Sequence, residues 1–213
     1  MADALIFYTN PMSRGRVARW ALEEVGQPYR TEILPFGPPM KTPDYRAVNP
    51  MGKVPALRHG DVIVTEVAAI CAYLADAFPA AHLAPPSGDS LRGPFYRWLF
   101  FAAGPIEAAT TNKSLQFVVP KEREGQVGYG TFDLTFGALE GVLTRSKYLV
   151  GDQFSAADIM VGSALGWGMF NGSIDKRPAF TAYCERLMAR PASVRARAID
   201  DALIAEQKKA AGG

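Results

Sequence analysis

Three short stretches hold the residues whose types and spacing could do chemistry. They are Pro11-Met12-Ser13-Arg14-Gly15-Arg16, Asn49-Pro50-Met51-Gly52-Lys53-Val54-Pro55-Ala56-Leu57 and Thr65-Glu66-Val67. In the middle stretch Val54-Pro55-Ala56-Leu57 reads as the opening of a strand. Proline cannot donate to a sheet ladder, so Pro55 belongs at a first strand position or an edge. A trans proline closing a loop is the ordinary state, since cis accounts for only about 5–6% of X–Pro bonds in folded proteins. A cis bond would turn the main-chain N–H and C=O of Val54 outward, where an extended peptide could pair with them as a short extra strand. Ser13 sits where a helix should begin and can cap it. Glu66 opens a second helix, where a carboxylate favours the helix dipole.

Metal and nucleic-acid chemistry are disfavoured. Cys71, Cys184, His59 and His82 share no ligand spacing. Both cysteines fall in helix-like apolar patterns and read as buried free thiols, which fits a reducing cytoplasm. The formal charge is +2, with acids and bases interspersed, against a nucleic-acid tract. The first apolar run, Ala4 to Tyr8, is strand-length and too short for a signal-peptide core or a membrane span. With 213 residues, 48% of them hydrophobic, the chain can build a real core in one or two domains.

The elements that must position these residues follow from periodicity. Ala4 to Tyr8 is a strand covered on both faces. From Arg14 to Val25 apolar residues recur at helical spacing (Val17, Trp20, Ala21, Val25), with Glu23 and Glu24 on the solvent side and Gly26 as the stop. Tyr29 to Leu34 alternates as a second strand, which completes a βαβ unit with parallel strands. Thr42-Pro43-Asp44 opens a short helix. Ala56 to Val64 is a hairpin turning at His59-Gly60, and Thr65 to Phe78 is a helix ended by Pro79. Residues 1–80 therefore read βαβ-α-ββα, a mixed four-stranded sheet with helices, and the Pro-rich 81–90 reads as a linker. From residue 91 to 213 no strand alternation appears. Helices are expected over Leu91–Phe117 (bent near Gly104-Pro105), Lys121–Arg145, Ser155–Phe170, Phe180–Met188 and Val194–Glu206, with Lys208 to Gly213 frayed. Ser155-Ala156-Ala157-Asp158 is a capping-box-like start with Asp replacing the usual Glu.

This order of elements, with Val-Pro opening the third strand, resembles the cytosolic glutathione transferase family, and the resemblance covers nearly the whole chain. Asn49-Pro50-x-Gly52-Lys53-Val54-Pro55-Ala56-Leu57 is similar to the family's strand-three motif. Thr65-Glu66-x-Ala68-Ala69-Ile70-x-x-Tyr73-Leu74 is similar to the helix that follows, and Ser155-Ala156-Ala157-Asp158-Ile159 to the folding motif of the C-terminal domain. The resemblance implies a thioredoxin-like N-terminal domain and an all-α helical-bundle C-terminal domain. It implies that Pro55 is cis and that Val54 pairs with the cysteinyl backbone of glutathione. It gives Glu66 the γ-glutamyl ammonium, through a charge-assisted hydrogen bond, and Lys53 the glycyl carboxylate. The family usually has serine where this chain has Val67, so the hydroxyl contact is gone, although the Val67 N–H can still meet the γ-glutamyl carboxylate.

Glutathione attacks as a thiolate, and a free thiol of pKa about 8.5 is only about 3% ionised at pH 7. Lowering that value by about two units, worth roughly 2.7 kcal/mol, ionises about three quarters of it. The resemblance implies a bacterial serine-type member with Ser13 as the hydroxyl donor and Arg14 and Arg16 adding positive potential; a plain N-cap is Ser13's other reading. Tyr8 is the rival donor, with a strand-core role as its alternative. No cysteine occupies this turn, which lowers the chance of thiol–disulfide exchange. A hydrophobic electrophile would meet Trp98, Phe101 and Gly104, with Phe100 and Met169 as further candidates. The expected function is glutathione conjugation without a further cofactor, glutathione being a co-substrate, in a cytoplasmic homodimer that engages neither nucleic acid nor membrane. Its dimer interface would use the helices Glu66–Phe78 and Leu91–Phe117. The alternatives are a glutathione-dependent isomerase or dehalogenase, and a non-catalytic module binding a ligand or partner protein on the same fold.

Overall fold

The computed structural model describes residues 4–211, which divide into two compact units. The first holds the described residues up to Ala81 together with those from Arg190 onward, and the second holds His82–Ala189. In the first unit the order is β1 (Leu5–Thr9), α1 (Gly15–Val25), β2 (Tyr29–Ile33), α2 (Pro43–Val48), β3 (Ala56–His59), β4 (Val62–Thr65) and α3 (Val67–Ala77). The strands lie in the order β2-β1-β3-β4. β1 is parallel to β2 and antiparallel to β3, and β3 is antiparallel to β4. This is the mixed four-stranded sheet expected from the periodicity.

β1 is central because both of its faces are covered. On one face Phe7 is fully buried, with the Arg19 guanidinium of α1 standing 5.2 Å from its ring. On the other, Tyr8 packs against Tyr45 of α2, in a cluster with Met40, Val48 and Ala56. Helix α1 stops where Gly26 takes a left-handed conformation, as its position in the sequence predicts.

The last helix changes the domain division. α9 (Pro191–Ala211) packs on α1 within the first unit, so the expectation of one helical domain over residues 91–213 is corrected. A row of ion pairs runs along this contact. Arg16 meets Asp201 at 2.7 Å, Arg19 meets Asp200 at 2.8 Å, Glu23 meets Arg195 at 3.1 Å and Glu24 meets Arg190 at 2.7 Å. Glu23 and Glu24 are therefore not a solvated face, and Glu24 also accepts the Trp20 indole N–H. The helix continues through Lys208 to Ala211 where fraying was expected; Gly212 and Gly213 lie outside the described residues.

The second unit is helical: α4 (Arg92–Phe101), α5 (Glu107–Ser114), α6 (Phe132–Leu143), α7 (Ala156–Asn171) and α8 (Pro178–Met188). The bend expected near Gly104-Pro105 is a π-helical turn, Ala102–Ile106, with Pro105 inside it. Such a turn shifts the hydrogen-bond ladder by one residue, which accommodates a proline lacking its N–H. The helix expected over Lys121–Arg145 is shorter at its start. Lys121–Gln126 forms a separate 3-10 helix, Gly130 takes φ 64°, and α6 begins only after Thr131, whose hydroxyl accepts the Leu134 N–H. The linker over 81–90 is anchored, because Leu83 is buried and its C=O accepts the Ala156 N–H at 2.7 Å. The start of α7 is the capping box read from the sequence. The buried Asp158 carboxylate accepts from the N–H groups of Leu149 and Ser155 and from the hydroxyls of Ser155 and Tyr183, at 2.8–2.9 Å. No helix among the described residues is long and apolar enough to cross a membrane.

The Arg19–Asp200 pair is almost fully buried, at 1% exposure on each side. Breaking such a pair strands a charge, whereas replacing both partners with apolar groups does not. Asp200→Ala is expected to cost about 3–5 kcal/mol in urea unfolding. The double substitution Arg19→Met/Asp200→Leu is expected to recover most of that loss. A single substitution costing under about 1 kcal/mol would refute the role given to this pair.

Candidate functional site

The strand register gathers the site. Ala56 of β3 lies opposite Tyr8 of β1 on one side and Thr65 of β4 on the other. These three residues form a row across the sheet at one end. Three segments leave that end: the turn Asn10–Arg14 into α1, the approach Lys53–Pro55 into β3, and Glu66–Val67 into α3. Residues far apart in the chain therefore share one end of the sheet, and two helices begin there. Tyr8, Ser13, Arg14, Lys53, Val54, Pro55, Glu66 and Val67 all belong to this end.

The Asn49–Lys53 loop is a built structure. Asn49 is buried; its amide donates to the Lys53 C=O at 2.7 Å, and its side-chain oxygen accepts the Met51 N–H at 3.0 Å. The Tyr45 hydroxyl also donates to the Lys53 C=O, at 2.7 Å, and the Lys41 ammonium bridges the C=O groups of Met51 and Gly52. Gly52 has φ 57°, and a Cβ there would run into the Met40 carbonyl oxygen, so only glycine serves. The Val54–Pro55 bond is cis, as the family resemblance implies. No hydrogen bond from the described residues reaches the main-chain N–H or C=O of Val54.

Ser13 is half-buried and already engaged. Its hydroxyl donates to the Asn10 C=O at 2.7 Å and accepts the Gly15 N–H at 2.9 Å, so it ties the turn before α1; the N-cap position itself falls one residue later, on Arg14, which corrects the reading of Ser13 as the cap. The turn is held from beneath by Asn10, whose amide donates to the Leu34 C=O and whose side-chain oxygen accepts the Met12 N–H. Tyr8, half-buried beside Tyr45, forms no hydroxyl hydrogen bond with the described residues. Arg14 and Lys53 are exposed, while Arg16 is turned to Asp201. Both thiols of the chain are inert: burial pushes Cys71 and Cys184 each up to about 12. Any thiolate chemistry here needs a thiol brought in by the substrate.

Glu66 carries the strained backbone of the site. It stands at the N-cap of α3 with φ 67° and ψ 124°, a region that non-glycine residues rarely enter, and its carboxylate is exposed and makes no cap hydrogen bond. The sequence places it in the first helical turn; it is one residue outside. Val67, the first residue of α3, is half-buried.

The candidates for a second substrate lie in the other unit and fare unevenly. Trp98 is 3% exposed, packed edge-on to Phe101 and covered by the Arg97 guanidinium at 4.0 Å. It is a core residue, which corrects its assignment as a substrate contact. Phe101 is half-buried, and Gly104 is exposed with open space where a Cβ would stand. The sequence reading missed Asn10, Lys41, Tyr45 and the side-chain role of Asn49. Their work is side chain to main chain, and only the Asn-Pro and Pro-Asp turn signals pointed to them.

The comparisons agree with this geometry. Residues 12–77 match the glutathione S-transferase N-terminal domain and residues 111–191 the glutathione S-transferase C-terminal domain. The probable glutathione S-transferase GSTF2 of Oryza sativa subsp. japonica is 31% identical over 185 residues, covering 81% of this chain and 85% of the relative. The glutathione S-transferase-like protein tpcF of Aspergillus fumigatus is 30% identical over 192 residues, covering 80% and 84%. A glutathione transferase structure from Methylococcus capsulatus superposes with a TM-score of 0.76 at 31% identity, covering 93% of this chain and 99% of that one. A sphingomonad glutathione S-transferase complexed with glutathione gives 0.73 at 27% identity, covering 92% and 98%. The chain belongs to the glutathione S-transferase family, with the thioredoxin-like N-terminal and helical C-terminal domains of that family.

The Glu66 backbone makes its own prediction. Glycine normally destabilises relative to alanine by roughly 0.5–1 kcal/mol. At a positive φ that order reverses, so Glu66→Gly should unfold at higher urea than Glu66→Ala, by about 1 kcal/mol. Equal midpoints would show that the site stores no backbone strain.

Proposed function

We propose that the protein conjugates the thiolate of bound glutathione to a hydrophobic electrophile, as a serine-type member of its family. The observation that carries the reading is the main chain of Val54, unpaired among the described residues, at a sheet end that also holds Glu66, Lys53 and two helix N-termini. Glutathione is an extended tripeptide bearing an ammonium and two carboxylates. Val54 would take its cysteinyl N–H and C=O as a short strand pair. Glu66 would take the γ-glutamyl ammonium, Lys53 the glycyl carboxylate, and the Val67 N–H the γ-glutamyl carboxylate. The solved sphingomonad relative with glutathione bound supports this choice of ligand.

Ser13 is the proposed hydroxyl donor to the sulfur. Its proton now goes to the Asn10 C=O, but that oxygen also accepts the Ser13 N–H at 3.0 Å. The hydroxyl can therefore turn to a thiolate without orphaning the carbonyl, exchanging one hydrogen bond worth about 0.5–1.5 kcal/mol for a stronger charge-assisted one. The N-terminus of α1 and Arg14 add favourable potential for the negative sulfur. A second reading gives the role to Tyr8, favoured by a hydroxyl without a hydrogen-bond partner among the described residues. The second substrate is proposed to meet Phe101 and Gly104, and the active form is proposed to be a homodimer in the cytoplasm.

The test is the pH–rate profile with a chromogenic electrophile. In Ser13→Ala the apparent pKa of the bound thiol should rise by about one to two units towards the free value of about 8.5, lowering the rate at pH 6.5 roughly tenfold or more, while Tyr8→Phe leaves it in place. The opposite pattern would transfer the donor role to Tyr8. Product identification over a substrate panel separates conjugation from isomerisation or dehalogenation. Absence of binding to millimolar glutathione in calorimetry would overturn the enzymatic reading in favour of a binding module.

A further inference from the structure

On the approach to Val54 the carbonyl groups of Asn49, Met51, Gly52 and Lys53 are filled by the protein itself. The Asn49 C=O accepts the Gly52 N–H at 2.8 Å. The C=O groups of Met51 and Gly52 accept the Lys41 ammonium at 3.1 and 2.7 Å. The Lys53 C=O takes two donors at 2.7 Å each, the Tyr45 hydroxyl and the Asn49 amide. Beyond it the filling stops, and Val54 is left with its main chain unpaired among the described residues.

The doubly bonded Lys53 carbonyl has a geometric consequence. The Lys53 C=O and the Val54 N–H belong to one peptide plane, and in a trans plane they point in opposite directions. Tyr45 and Asn49 are 5% and 3% exposed, so they draw the carbonyl towards the interior. The Val54 N–H must then face the other way. Resting on the glutathione-binding reading above, we propose that the Tyr45 hydroxyl is a positioning group, which locks this peptide plane and thereby aims the Val54 N–H at the incoming tripeptide backbone.

Tyr45 is suited to the task on three counts. Its ring is fixed in the cluster with Met40, Val48 and Ala56 and lies 5.9 Å from the Tyr8 ring, so the hydroxyl has little freedom. Helix α2, which carries it, is capped by the Thr42 hydroxyl accepting the Tyr45 N–H. Burial pushes the phenol up to about 12, so it stays a donor at every working pH. Asn49 shares the carbonyl but also holds Met51, so its removal would disturb the whole loop, whereas Tyr45→Phe deletes one hydroxyl and keeps the ring.

In Tyr45→Phe the dissociation constant and KM for glutathione are expected to rise about 5–10-fold, the equivalent of one well-aimed hydrogen bond. The kcat at saturating glutathione and electrophile should stay within about twofold, and the thermal midpoint within about 3 °C. Protection of the Val54 amide from hydrogen exchange by glutathione should be strong in the wild type and reduced in the variant. An unchanged glutathione affinity in a folded variant would overturn the positioning role and leave the glutathione reading intact. A fall in kcat with KM unchanged, or a loss of affinity accompanied by a large loss of stability, would also overturn it by assigning Tyr45 to chemistry or to packing. Failure of the wild type itself to bind glutathione would instead bring down the functional reading, and this inference with it.

Discussion

Ala56 is hydrogen-bonded into the sheet between Tyr8 and Thr65, and most of what this protein can do at its candidate site depends on that register. Adding β3 antiparallel beside β1 brings the start of one strand next to the end of another. Adding β4 antiparallel beside β3 then brings a second helix start to the same place. A shift of one residue would turn every side chain of β3 to the opposite face. It would take Ala56 out of the cluster with Tyr45 and carry Val54 away from the turn that holds Ser13. The register is specified because Ala56 and Leu57 are both fully buried, one towards each covered face.

The electrostatic character of that sheet end follows from the same arrangement. Two helix N-termini, Arg14 and Lys53 supply positive potential, and Glu66 supplies one exposed carboxylate. An anionic peptide with a single ammonium is complementary to such a set. The carbonyl oxygens of Asn49, Met51, Gly52 and Lys53 are engaged with donors of the protein's own. The chain's two thiols are buried and held protonated, so they do not compete with an incoming one.

A row of ion pairs links α1 to α9 and to Arg190 just before it. It brings Arg16, Arg19, Glu23 and Glu24 against partners some 166–185 residues away in sequence. The innermost pair costs desolvation on both sides and returns it only while both partners are present. A helix joined to the first unit in this way packs on α1, and α1 is the element that follows the turn carrying Ser13.

Local signals determined a good deal of this. Periodicity marked all four strands and the main helices, because one buried face repeats every two or 3.6 residues whatever the partner. Gly26, Pro79 and the Ser155–Asp158 box marked boundaries through backbone conformation and capping, which act within a few residues. The candidate residues at the sheet end were legible through motif spacing. What the linear order could not express was decided by tertiary packing. Glu23 and Glu24 looked solvated because their arginines lie far along the chain, and α9 looked like part of the helical domain for the same reason. Trp98 looked like a substrate contact because an aromatic at helical spacing fits core and cleft alike. The positive φ of Glu66 and the hold of Tyr45 on the Lys53 carbonyl arise only when β3, α2 and α3 are in place. Each is a bond or a dihedral imposed by neighbours that no local propensity encodes.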